Sequence, residues 1–177
     1  MTIDALIHRK TYEKVEYFLR RHFITFVPVA LALIVLTLLP LGLLAFAKTY
    51  QFSWLNSEAT YPIMILCASV YYLSLILFLF SYFITFYLDV WIITNDRLID
   101  IRQISLFARS IAEVDLYQVQ DVTSEVKGIF PSLFNYGNVY LQTAGSVPKF
   151  VLYNVSDPHA IRQAILELSA SDRKFHN

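Results

Sequence analysis

The chain has 177 residues, 56% of them hydrophobic and only 16% charged, with a mean hydropathy of +0.51, which is too apolar for an ordinary soluble domain. Fourteen Lys/Arg balance fourteen Asp/Glu, so no global field gathers nucleic acid or other polyanions. The single cysteine, Cys67, excludes an intramolecular disulfide framework and a cysteine-based zinc cluster, and His8, His22, His159 and His176 offer no close-spaced pair. No metal, cofactor or nucleic acid is expected.

The first element is an uncharged block from Phe23 to Ala47, bounded by Arg20, Arg21 and His22 before it and Lys48 after it. Its length exceeds the roughly 30 Å hydrocarbon core at about 1.5 Å per helical residue. A second uncharged block runs from Ala59 to Leu88. Both are predicted to be transmembrane helices, retained rather than cleaved. Pro28 and Pro40 lie in the first span, and Pro40 with Gly42 predicts a bend whose freed carbonyl must be satisfied by a neighbouring group. Cys67, Ser74 and Ser81 recur at a seven-residue interval, a face for helix–helix contact, either within the hairpin or between copies. Neither span carries Asp, Glu, Lys, Arg or His, which argues against a transporter or pump.

Arg9, Lys10, Lys14, Arg20 and Arg21 precede the first span and Lys48 alone lies in the connection. This bias predicts a multi-pass protein of the cytoplasmic membrane with both termini cytoplasmic and a short outer loop from about Thr49 to Glu58. Phe52, Trp54 and Tyr61 suit the outer interface, Tyr87 and Trp91 the inner one. The segment from Lys10 to Arg21 reads as a helix on the membrane surface or as the cytoplasmic end of the first span.

From Asp89 the composition changes to short β-rich runs. Val90–Thr94 and Arg97–Gln103 flank Asn95-Asp96 as a first hairpin. Further strands are predicted over about Leu106–Leu116, Val119–Lys127, Asn138–Thr143 and Phe150–Tyr153, and Gly137 is expected to need a positive φ. Asp157 as N-cap and Pro158 in the first turn open a helix whose Ile161, Ala164, Ile165 and Leu168 form one apolar stripe. The tail from Ser169 is expected to fray.

The predicted fold is thus an α+β membrane protein. It comprises a juxtamembrane segment (1–22), a two-helix transmembrane hairpin (23–88), a small antiparallel β-barrel or sandwich capped by a C-terminal helix (89–170) and a flexible tail (171–177). Arg20-Arg21-His22 before the first span, Ile93-Thr94-Asn95-Asp96-Arg97-Leu98, Asn135-Tyr136-Gly137-Asn138-Val139, Gln142-Thr143-Ala144-Gly145 and Asp157-Pro158 occur in that order around the two apolar helices. In this the chain resembles the membrane-bound type of bacterial pleckstrin-homology (PH)-like domain, of unknown function. The resemblance implies a membrane-anchored PH-like module and supplies no catalytic or ligand residues.

Chemistry finds little support. Ser146, His159 and Asp157 lack a nucleophile elbow or phosphate-cradling loop, and Glu113, Asp115, Asp121 and Glu125 fit alternate outward positions on two strands better than a metal site. Arg97 beside Asp96 is a poor trap for a polyanionic headgroup, although Arg102, Arg109 and Lys149 could converge from a distance. The stretch from Asp89 onward holds eight Lys/Arg against ten Asp/Glu, so anionic lipid does not attract it. Exposed apolar residues Ile129, Phe130, Leu133 and Phe134 are the candidates for protein contact, with core plugging or bilayer contact as alternatives. The expected function is a non-enzymatic scaffold or adaptor that recruits or assembles proteins at the cytoplasmic face. The alternatives are an auxiliary subunit of a membrane enzyme or export complex and a lipid-sensing module.

Overall fold

Trp91, Ile92 and Ile93 are buried in succession on one strand, so that strand is covered on both faces and the sheet around it carries two apolar clusters. The computed structural model describes residues 12–50, 60–143 and 150–176. They divide into two units, Met1–His22 with Tyr87–Asn177, and Phe23–Phe86.

In the first unit, β1 (Val15–Arg20), β2 (Val90–Thr94), β3 (Arg97–Ser105) and β4 (Ala108–Asp115) form an antiparallel sheet in that order. A 3-10 turn at Leu116–Gln118 leads to the second antiparallel sheet, β5 (Val119–Glu125), β6 (Tyr136–Thr143) and β7 (Phe150–Ser156). A short helix, α3 (Ile129–Phe134), joins β5 to β6, and the long α4 (Pro158–His176) closes the unit. The main core joins Trp91, Ile93 and Leu98 of one sheet to Val122, Leu141 and Leu152 of the other, with Ile161 and Ile165 of α4 packed on both. Full burial of each such side chain contributes about 1.5–3 kcal/mol. The two sheets remain separate and do not close into a barrel; a single bridge, Arg21 to Val155, joins them at one corner among the described residues.

Three sequence expectations are corrected here. The segment before the first apolar helix is the edge strand β1, paired along its length with β2, not a surface helix or helix extension. A bulge between Val15 and Tyr17 turns Val15 to one face and Leu19 to the other, so each meets a different apolar cluster. Trp91 is a core residue rather than an interfacial one. The last helix does not fray at Ser169. Ser169 Oγ donates to Leu116 O at 2.9 Å, Asp172 is buried, and Arg173 Nη2 donates to Val119 O, so α4 continues to His176. Its start is as expected, with Ala160 N donating to Asp157 Oδ1 at 3.3 Å.

The second unit contains α1 (Val27–Thr49), preceded by a 3-10 turn at Phe23–Phe26, and most of α2 (Thr60–Leu88). Both helices are long and apolar enough to cross a membrane. Pro28 sits in the first turn of α1, where its missing N–H costs nothing. Pro40 lies inside α1 and deprives the carbonyl of Leu36, four residues earlier, of its donor. Tyr71 Oη donates to that carbonyl at 2.7 Å, and Tyr72 Oη donates to Thr37 O at 3.2 Å. These tyrosines, with Phe26 against Tyr82, Phe83 and Phe86 near the other end, carry contact between the helices. Cys67 and Ser74 are exposed and Ser81 is half-buried.

Candidate functional site

The chain leaves the first unit after β1 and returns to it at β2, two strands directly paired: Arg20 lies opposite Val90, and Asp89 alone separates β2 from the end of α2. The hairpin is therefore inserted between the first two strands of the sheet rather than placed ahead of it. The connection that forms the first loop of this sheet is the helical pair itself. Asn95-Asp96 is the second turn.

Polar side chains fix this junction. Arg21 Nη2 lies 2.5 Å from Asp89 Oδ2, and the other carboxylate oxygen accepts from Gln103 N at 2.8 Å. Arg20 lies over the Tyr87 ring at 4.5 Å. His22 N donates to Asn154 O at 2.7 Å and its ring stacks on Tyr136 at 5.2 Å. The run Asn135–Asn138 assembles around these contacts. Asn135 takes the left-handed conformation that ends α3, and Asn138 Oδ1 accepts from Asn154 N at 2.9 Å. Gly137 has no positive φ, contrary to expectation. Glycine is required instead because a Cβ there would lie 2.4 Å from Glu125 O.

The opposite end of the sheet is charged. Arg97 makes a two-pronged pair with buried Glu13, Nε to Oε1 at 2.8 Å and Nη2 to Oε2 at 2.9 Å, and reaches Glu113 at 2.6 Å. The Glu13 hydrogen bond is the largest influence raising the guanidinium above its ordinary pKa. Asn95 is tied to Lys14 and Tyr12. Midway along β3, burial pushes the Asp100 carboxyl up, opposed in part by Arg102 at 2.7 Å.

The remaining sequence candidates disperse. His159 Nδ1 faces Ser124 Oγ at 2.9 Å and Asp157 caps α4, while Ser146 lies outside the described residues. Glu113, Asp115, Asp121 and Glu125 engage Arg97, Gln118, Thr123 and Tyr140 respectively. Among the described residues no group of three His, Cys, Asp or Glu is placed to hold a metal. Arg102 is held by Asp100 and Arg109 is exposed; Lys149, Ala144, Gly145, Phe52 and Trp54 lie outside the described residues, as does most of the outer loop. An open groove of about 320 Å³ beside Phe26 and Phe83 is lined by apolar side chains, with no charged group to orient a ligand.

Ile129, Phe130, Leu133 and Phe134 do come together, on α3 rather than on a loop. They are exposed at 84%, 66%, 71% and 45%, so they do not plug the core. Two apolar residues that the sequence reading passed over, Ile104 and Phe107, are exposed at 65% and 98% around the β3–β4 turn.

No curated protein matches the chain. Among solved structures it is similar to a DUF1696-family protein with a pleckstrin-homology domain from Shewanella loihica, at 22% identity over 46% of this chain and 70% of that one, with a TM-score of 0.38. The family described as Bacterial PH domain matches residues 54–169, from within the connection through α2, strands β2 to β7 and most of α4, leaving out β1 and α1. The chain belongs to the bacterial PH domain family.

Proposed function

We propose that the protein is a non-enzymatic, membrane-anchored PH-like scaffold or adaptor, which holds its domain at the cytoplasmic face to recruit or assemble proteins. The observation that supports this best is the insertion of two apolar helices between paired strands β1 and β2. Because these strands are neighbours, the hairpin starts and ends at one place, as two crossings of a bilayer require. The Lys/Arg excess before α1 favours the cytoplasmic side for that place. The tie of Arg97 to Glu13 and Glu113 speaks against headgroup capture at the Asn95-Asp96 turn.

The test is labelling of intact cells with an impermeant thiol reagent, using Ser57→Cys and Ser171→Cys in a Cys67→Ser background, followed by purification in mild detergent. The reading expects Ser57→Cys to label, Ser171→Cys to stay unlabelled until the membrane is permeabilised, and a stoichiometric protein partner or self-assembly. External labelling at position 171 would overturn the topology. A monomer without partners would overturn the scaffold.

A further inference from the structure

The two ends of the sheet unit differ in chemistry. One end, where β2 turns into β3, carries Glu13, Arg97, Glu113, Asn95 and Asp96 in polar contacts. The other, where the chain departs at Arg21 and returns at Asp89, carries two groups of exposed apolar side chains.

Strand register places both groups at that end. Val90, the first residue of β2, pairs with Ile101, but β3 continues to Ser105 before turning. The β3–β4 tip thus extends four residues past the return point, about 13 Å at about 3.3 Å per residue, with Ile104 and Phe107 exposed upon it. In the second sheet, His22 stacks on Tyr136, and Arg21 bridges to Val155, whose strand partner is Gly137. Asn135 alone separates Tyr136 from α3. Hence α3, with Ile129, Phe130, Leu133 and Phe134 on its surface, lies beside the departure point as well. Neither α3 nor the tip contains an acidic residue, while exposed Lys127 and Arg109 lie next to them.

We propose that α3 and the β3–β4 tip form a lipid-facing edge that seats the domain in the headgroup region of the bilayer spanned by its own hairpin. The proposal rests on the membrane reading above and names the partner of the exposed apolar residues. Six apolar side chains left in water at the end of the sheet unit where the chain departs and returns fit the headgroup–acyl boundary, where apolar groups bury and flanking cations meet phosphate. In that seating the same residues are closed to a soluble protein partner.

The experiment uses the full chain in phosphatidylcholine vesicles containing nitroxide-labelled lipid. An environment-sensitive fluorophore is attached to native Cys67 or, in a Cys67→Ser background, to Phe107→Cys, Phe130→Cys, Leu133→Cys or Ser171→Cys. All of these positions are exposed, so the domain keeps its packing. The expected result is blue-shifted emission at 107, 130 and 133 with loss of intensity to a shallow nitroxide, loss at 67 to a deep one, and neither at 171. Water-like emission at 130 and 133 with quenching at 67 overturns the lipid-facing edge and leaves the anchor standing. Blue-shifted emission there that lipid nitroxides do not quench overturns it in favour of protein contact. Absence of quenching at 67 removes the membrane reading and this proposal with it.

Discussion

Replacing Tyr71 by Phe removes the hydroxyl that satisfies the carbonyl orphaned by Pro40, and little else. In an apolar surrounding an unsatisfied carbonyl costs about 1–3 kcal/mol, while hydrogen bonds between membrane helices measured in cycles average about 0.6 and reach about 1.7 kcal/mol. The geometry at Leu36 O, a 2.7 Å bond to a carbonyl with no helical donor, belongs in the upper part of that range, so we expect Tyr71→Phe to cost about 1–2 kcal/mol. Pro40→Ala restores the amide donor to the same carbonyl. In that background the Tyr71→Phe change should cost under about 0.5 kcal/mol, and the cycle should show a coupling of about 1 kcal/mol. The assay is reversible unfolding of the full chain in mixed micelles on a denaturing-detergent titration, followed by helical circular dichroism. An equal cost of Tyr71→Phe with and without Pro40 would refute the link between the two residues.

Four further outcomes follow from the sheet unit. Arg97→Met removes the guanidinium that makes the two-pronged pair with buried Glu13 and should cost about 3–5 kcal/mol, whereas Arg97→Met with Glu13→Leu should recover most of that loss; matched urea midpoints for the single and double variants would contradict the pairing. Gly137→Ala should destabilise by at least about 1 kcal/mol because its Cβ would meet Glu125 O at 2.4 Å, and an unchanged midpoint would show that β5 yields there. Ser169→Ala and truncation after Ala170 should both lower stability, the first by about 0.5–1.5 kcal/mol for one lost hydrogen bond, since Leu116 O still accepts from Val119 N; an unaffected truncation would mean that the last turns of α4 do not support the core. The Asp100 carboxyl titrates higher folded than unfolded, so the folded state holds the extra proton and this group adds stability as pH falls from its raised value toward the ordinary one. Asp100→Asn should remove that acid-side gain relative to wild type, as read from urea midpoints across the acidic range.

Much of this architecture is legible from residue pattern. The apolar blocks were too long for anything but long apolar helices, and β2 to β7 and the start of α4 fell close to their predicted places because β-branched runs, turn residues and the Asp157-Pro158 cap all act locally. What the pattern hid was non-local. The sequence Val15–Arg20 alternates weakly, its bulge breaks the period of two, and its partner lies on the far side of both helices, so nothing nearby marks it as a strand. The tail looked polar because Ser169, Asp172 and Arg173 serve carbonyls or packing contributed from other elements. Gly137 announced itself as glycine but not why: the constraint is the Glu125 carbonyl on the neighbouring strand, which only β5–β6 pairing brings there.

The inserted hairpin has a consequence for assembly. Pairing of β1 with β2 closes a loop that contains both helices, and the entropic cost of such closure rises with loop length unless the loop is already ordered. Association of α1 with α2 through Tyr71 and Tyr72 would offset that cost if it brought the loop ends together before the strands meet, and on that order of events the edge strand β1 is the last to pair. The Arg21–Asp89 pair then locks the ends, with the carboxylate also held by Gln103 N. Asp89→Ala would leave Arg21 without its carboxylate and Gln103 N without its acceptor at the point where that loop closes. Hydrogen exchange should then rise first in β1, while β5 to β7, whose pairing is local, keep their protection. Uniform loss across both sheets would mean that β1 is not a separable last step and that the unit folds as one cooperative block.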